Sequence, residues 1–397
     1  MSRINVMRPW LGAEEIAAVT ETIESGWVAQ GPRVAQFEAK FAQLVHAEHA
    51  VALSSCTTAL HLALLVAGVG PGDEVVVPSL SFIATTNAPV YVGARPVFAD
   101  VDATTGNLTV ETIAEVTTAA TRAVILVHQG GVPADVDSVR AFCQERGIVV
   151  VEDAACAAGS TYRGRPVGAG AEIATWSFHP RKLITTGEGG MLTTDSAEFA
   201  GRARRLREHA MSVSATDRHQ SVLPPPEQYL ELGFNFRMTD LQAALGLVQL
   251  DRLAAIVARR RELAGVYQDA FAGIFGLRTV TDPAWGEPNF QSFWIEVLPE
   301  SGTDREKVLA HLAEQDISAR RGIMAAHLQP AYIDHPHVPL PITERITDNT
   351  LILPLFHQLT AEEQQRVITA VLQAMKLSAG EDQLPERHLA SLADGAR

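Results

Sequence analysis

The 397-residue sequence predicts an α/β protein, with a large domain on a mostly parallel seven-stranded sheet covered by helices and a smaller C-terminal α+β domain. Two observations point there. Between about residues 50 and 195, short apolar, β-branched runs alternate with helical patterns, as they do when helices carry the chain between parallel strands. The length also exceeds that at which one hydrophobic core stops growing. The expected division is an N-terminal segment with the large domain over 1–250, the small domain over 251–377 and a polar tail over 378–397.

Taken in order, His49 to Leu53 reads as a strand, and Thr57 to Ala67 as a helix with Leu60, Ala63, Leu64 and Ala67 on one face. The Gly68 to Asp73 stretch stops that helix. Further strands are expected at Glu74 to Val77, Pro96 to Ala99, Ala123 to Val127, Ile148 to Glu152, Ile173 to Phe178 and Gly190 to Thr193. Several are apolar on both faces, as buried parallel strands are. Met238 to Ala272 reads as a long helix linking the domains, with Arg259, Arg260 and Arg261 as a solvated face. Phe293 to Val297 (strand), Asp304 to Glu314 (helix) and Ala361 to Lys376 (helix) suit the smaller domain.

A net charge of -14, from 32 basic and 46 acidic side chains, argues against nucleic acid or an anionic membrane as partner. The three cysteines, Cys56, Cys143 and Cys156, have neither disulfide-framework nor zinc spacing, which suits a reducing compartment. The first ten residues lack the pattern of a secretory signal, and no run reaches the roughly 20 apolar residues of a membrane span. A cytoplasmic enzyme is expected. His335 and His337 have no recognised ligand spacing, and no metal site is expected.

Three segments carry chemistry. Asp153 closes an apolar strand in Val151-Glu152-Asp153-Ala154-Ala155, at the strand end where open α/β sheets bind ligands. An acid there could hold a protonated ring nitrogen; its ordinary reading is a turn or helix-capping residue. Lys182 follows another strand in Ser177-Phe178-His179-Pro180-Arg181-Lys182, fixed by a proline before it and glycines after, and could form a Schiff base. Alone it would read as a surface charge. Ser54-Ser55-Cys56-Thr57-Thr58 brings hydroxyls and free N–H groups to a helix start, which suits a phosphate or simple capping. Together they are the three handles that pyridoxal 5'-phosphate (PLP) requires: a phosphate anchor, a partner for the pyridinium nitrogen and an amine for the aldehyde.

With these motifs in place, the sequence resembles the DegT/StrS family of PLP-dependent sugar aminotransferases, which have the aspartate aminotransferase fold (fold type I). The resemblance runs from about Trp10 to Leu377. It is carried by Ser25-Gly26-Trp27, Gly70-Pro71-Gly72-Asp73-Glu74-Val75, Glu152-Asp153-Ala154-Ala155, Thr186-Gly187-Glu188-Gly189-Gly190 and Gly233-Phe234-Asn235-Phe236-Arg237-Met238.

The resemblance implies that Lys182 and Asp153 are catalytic and hold the cofactor. It further implies that Ser177 with the Cys56, Thr57, Thr58 loop binds phosphate, and that Phe82 stacks on the ring. Asn235 would reach the cofactor of a neighbouring subunit in a homodimer. His327, Arg237 and Arg321 are the candidate substrate-binding residues. Read locally, Phe82 suits a core, Asn235 a turn, His327 a loop, and Arg320-Arg321 either a diphosphate site or a solvated pair. Cys56 stands where the family usually has glycine, and Cys156 where it often has glutamine or histidine; both read as structural cysteines.

The implied activity moves an amino group from L-glutamate or L-glutamine to a keto sugar, in deoxyamino-sugar biosynthesis within secondary metabolism. It is ping-pong, with pyridoxamine 5'-phosphate (PMP) as intermediate and a lysine whose pKa is lowered in a water-poor site. A nucleotide-linked 4-keto-6-deoxy sugar is the first choice of acceptor. The alternatives are a keto-cyclitol of aminoglycoside type and, in a different class, a non-catalytic PLP-fold regulatory protein.

Overall fold

The computed structural model describes residues 2–213 and 226–379. Its centre is a seven-stranded sheet formed by β1 (His49–Leu53), β2 (Glu74–Pro78), β3 (Arg95–Ala99), β4 (Thr121–Val127), β5 (Val149–Asp153), β8 (Ile173–Ser177) and β9 (Gly190–Thr194). The spatial order is β1-β9-β8-β5-β4-β2-β3. Only β9 runs against the others: it is antiparallel to β1 and β8, whereas β2, β3, β4, β5 and β8 pair in parallel. Short strands β6 (Thr161–Tyr162) and β7 (Arg165–Pro166) form a separate three-stranded sheet with β11 (Gly286–Glu287). The seven strand expectations agree with the observed ones to within one residue at most ends, because buried parallel strands must be apolar on both faces.

Both faces of the sheet are covered. One packs Leu60, Leu62 and Leu64 of the helix Cys56–Val66 against Val51, Val75, Ile125 and Val151. The other packs Phe37, Phe41, Trp176 and Phe178 with the helix Pro32–Val45 and the first half of the long helix Asp240–Phe271. Aromatic edges meet there, with Phe41 5.1 Å from Trp176 and 5.4 Å from Phe178.

The long helix passes from this core to a second one, where its Leu263, Tyr267 and Phe271 join Phe293, Ile295, Leu351 and Val367. That core backs a four-stranded antiparallel sheet ordered β10-β12-β14-β13: β10 (Leu277–Thr279), β12 (Phe293–Val297), β13 (Arg320–Arg321) and β14 (Thr350–Leu353). Ile4, at the N-terminus, is buried in it too. The helices Arg305–Glu314 and Ala361–Ala379 pack alongside. The polar tail expected from 378 lies, from residue 380 onward, outside the described residues. Asp240–Phe271 is also long and apolar enough by composition to cross a membrane, but here it packs against the helices Ala13–Ser25 and Pro32–Val45.

Arg260 departs from the expected solvated face. It is 2% exposed and donates from Nε to the Phe290 carbonyl, from Nη1 to Leu355 and from Nη2 to Gln291, each at 2.8 Å. The guanidinium thereby satisfies loop carbonyls that would otherwise be buried without donors. Its neighbours Arg259 and Arg261 keep surface partners in Glu262 and Asp282.

Asp240 is the second polar pin. Fully buried at the start of the long helix, its carboxylate accepts from the N–H groups of Gly31 at 2.8 Å, Arg33 at 3.0 Å and Val34 at 3.0 Å, and so caps the helix Pro32–Val45 from outside. Asp240→Ala leaves those donors without an acceptor and should cost about 2–4 kcal/mol in urea unfolding, with an unchanged m-value. A loss within the about 0.5 kcal/mol of an ordinary surface change would contradict this cap.

Candidate active site

The carboxyl ends of the parallel strands open into a cleft of about 510 Å³, roofed by the second core through Arg260, Gln291, Arg320 and Leu353. This is where open α/β sheets leave unpaired backbone and loop space. Strand alternation decides which acid enters it. Glu152 turns away, accepting from Arg140 Nε at 3.0 Å with His128 Nε2 at 3.3 Å, while Asp153 lines the cleft. Asp153 accepts from the Thr85 hydroxyl at 2.9 Å and the Ala155 N–H at 3.2 Å. Burial raises its pKa, and Ala155, Thr85 and Lys182 oppose that only in part.

Lys182 sits across the cleft on a tightly pinned loop. Its N–H donates to the His179 carbonyl at 2.8 Å, and the Phe178 carbonyl accepts from the Thr185 hydroxyl at 2.8 Å and the Thr186 N–H at 3.0 Å. Its Nζ donates to Cys156 Sγ at 3.0 Å. The expected lowering of the lysine pKa is not what the protein's own groups produce. Burial pushes it down, but Cys156, Cys56 and Asp153 outweigh burial and the net direction is upward. Cys156 is therefore a direct neighbour of the lysine and not a detached structural cysteine.

The third handle is the start of the helix Cys56–Val66. Ser55, Cys56 and Thr57 line the cleft. Thr58 does not: its N–H donates to Ser55 Oγ at 3.1 Å and its hydroxyl to the Ser55 carbonyl at 2.8 Å, so it closes the helix cap. Burial and the Asp153 charge push the Cys56 thiol well up. Beside the loop runs β9, where a Cβ on Gly190 would lie 2.3 Å from the Ser55 carbonyl carbon and 2.5 Å from the Cys56 nitrogen. Ser177, paired with Gly190 in register, completes this side.

Of the remaining expected residues, Phe82 lies on the cleft and is 69% exposed, which removes the core reading. Asn235 is exposed and bridges to Glu208, away from its own chain's cleft. Arg237 is half-buried beside Leu53 and does not line the cleft either. His327 is 1% exposed, with Nδ1 2.6 Å from the Ser79 hydroxyl and Nε2 3.4 Å from Glu344; it braces the wall from behind and does not reach the cleft. Arg321 lines the cleft but holds Glu306 at 2.9 Å and 2.5 Å through two nitrogens. Thr85, Gln291 and Arg181 were not legible as site residues, although Arg181 adjoins Lys182.

Residues 9–372 match the DegT/DnrJ/EryC1/StrS aminotransferase family. The chain belongs to this family. Among solved structures it is similar to the aminotransferase TlmJ from Streptoalloteichus hindustanus (37% identity, 94% of this chain and 99% of that one, TM-score 0.87). It is similar also to S. venezuelae DesV in complex with a ketimine intermediate (32% identity, 95% and 99%, TM-score 0.87). Spr1654 from Streptococcus pneumoniae is solved in a PMP form (27% identity, 95% and 100%, TM-score 0.89) and a PLP form (28% identity, 95% and 100%, TM-score 0.88). The protein is thus a PLP-dependent aminotransferase of the sugar aminotransferase family with the fold-type I architecture.

The cleft residues fit that cofactor. A buried acid with a raised pKa suits a cationic ring nitrogen, a lysine amine suits an aldehyde, and the helix N-terminus with Ser55, Thr57 and Ser177 suits a phosphate.

Proposed function

We propose that this aminotransferase transfers the amino group of L-glutamate or L-glutamine to a nucleotide-linked 4-keto-6-deoxy sugar by a ping-pong cycle, as a homodimer in the cytoplasm. The observation that carries the reading is the meeting of Lys182, Asp153 and the Ser55–Thr57 loop in one cleft large enough for a small substrate besides the cofactor. When bound, PLP supplies an aldehyde for the amino group and a ring that accepts the electron pair released at the donor's α-carbon.

The chain's own groups do the rest. Lys182 would hold the cofactor and, once its amine is free, take the proton from the donor's α-carbon; in the second half-reaction it would deliver a proton to the acceptor's former carbonyl carbon, which comes to bear the amino group. Asp153 keeps positive charge on the ring nitrogen, and the Ser55–Thr57 loop with Ser177 fixes the phosphate. Phe82 offers a face to the ring. The dimer is supported by Asn235, which stands away from its own cleft, and by exposed apolar side chains on the same segment, Tyr229, Leu230 and Leu232, the last 85% exposed. The acidic balance and three free thiols suit the cytoplasm.

The test is acceptor turnover. With L-glutamate or L-glutamine, a nucleotide-linked 4-keto-6-deoxy sugar should yield an amino sugar by mass spectrometry, and initial-rate plots should give the parallel lines of ping-pong kinetics. Turnover of a keto-cyclitol alone would replace the acceptor, and inertness toward every donor would leave the regulatory reading.

A further inference from the structure

The cleft carries more positive charge than the cofactor handles use. Lys182, Arg181, Arg260, Arg320 and Arg321 all line it. Three of the five are engaged: Lys182 with Cys156, Arg260 with three carbonyls and Arg321 with Glu306. Arg181 and Arg320 are different. Among the described residues, no ion pair or side-chain hydrogen bond engages either guanidinium. Glu188, the other acid on the cleft, lies 3.8 Å from His179.

The two arginines come from different sheets' surroundings, one from the loop after β8 and one from β13. Arg181 precedes the cofactor-binding lysine on the loop after β8, which Gln291 ties down by donating from Nε2 to the Arg181 carbonyl at 2.7 Å. Arg320 stands on β13 in register with Ile352 of β14, so a sheet fixes its backbone. They are close enough to feel each other: burial, then the Arg181 charge, lowers the Arg320 pKa. Two like charges lining one cleft, neither held by an acid, repel.

We propose that Arg181 and Arg320 form a subsite for an oxyanion-bearing group of the substrate, a carboxylate or a diphosphate, and that Arg321 is not part of it. Planar, multi-donor guanidiniums match either group bidentately, and an anion bound between them offsets their mutual repulsion. Arg321 already spends two of its three guanidinium nitrogens, and its charge, on Glu306, so it adds little attraction. Because both arginines share the cleft with Lys182, the subsite would hold a substrate there by its anionic group. This deepens the proposed function and rests on it for the choice of ligands.

The test uses holoenzyme of the wild type, Arg181→Gln, Arg320→Gln and Arg321→Gln. One arm titrates L-glutamate and L-glutamine against the visible cofactor band. The other measures the dissociation constant of thymidine diphosphate by calorimetry, which needs no turnover. In Arg181→Gln and in Arg320→Gln at least one of these constants should rise about tenfold or more, while Arg321→Gln moves neither by more than about twofold. Weakening of both donors identifies the α-carboxylate, weakening of glutamate alone its side-chain carboxylate, and weakening of thymidine diphosphate the diphosphate of the acceptor. Constants unchanged in both variants, or a wild type that binds no anion of either class, overturn the subsite. A wild type without a cofactor band would instead sink the proposed function, leaving calorimetry to judge the arginines.

Discussion

Replacing Asp153 with asparagine should slow amino transfer by about 10²–10³-fold while leaving the cofactor-free protein at least as stable as the wild type. The two effects have one origin. Asp153 is buried, and burial raises its pKa beyond what Ala155, Thr85 and Lys182 restore. A folded pKa above the unfolded one means that the folded chain binds this proton more tightly, so the group's opposition to folding builds as pH rises from the carboxyl's ordinary value and is complete above the raised one. Protonation relieves that opposition as pH falls toward the carboxyl's ordinary value. Asparagine removes the opposing charge and can keep the Ala155 N–H as partner, but an amide cannot hold a positive charge on the ring nitrogen. Kinetics and thermal melts above the raised pKa check this. Wild-type turnover in the variant would mean that Asp153 does not face the ring, and a clearly lower melting temperature would mean that it is a structural cap.

Gly190→Ala should both destabilise the protein, by about 3 kcal/mol, and weaken cofactor binding by about tenfold or more. The problem is space: Gly190 has no left-handed backbone, but its added methyl group would overlap backbone atoms of Ser55 and Cys56 at 2.3–2.5 Å. Backbone cannot rotate aside as a side chain can. The phosphate loop must therefore shift away from β9, and its N–H groups lose alignment with the phosphate. Urea unfolding and PLP titration of the variant give the two numbers. Wild-type affinity with lowered stability would show that the loop can relax without leaving the phosphate.

The sheet was legible because its physics is local. Parallel strands buried on both faces hold apolar runs, and Val75–Val77 of β2, Ala123–Val127 of β4 and Val149–Val151 of β5 are such runs. The cofactor handles were legible because Lys182, Asp153 and the Ser54–Thr58 loop follow those strands closely in sequence. What could not be read depends on partners far along the chain. Arg260 looks like one of three solvated arginines until the carbonyls of Phe290 and Leu355, 30 and 95 residues away, surround it. His327 is drawn behind the wall by Ser79, 248 residues away. The helices Ala13–Ser25 and Pro32–Val45 were not anticipated, and the second depends on the Asp240 carboxylate for its start. Arg181 was hidden by its neighbour, since nothing local tells which of two adjacent cations lacks a counter-charge.

The most direct test of the central assignment is the visible absorption spectrum of the purified protein with PLP, before and after L-glutamate or L-glutamine, with Lys182→Ala as control. A band that depends on Lys182, and that a donor bleaches to the pyridoxamine form, is the predicted result. Absence of the band in the wild type, or an identical band in Lys182→Ala, would contradict it.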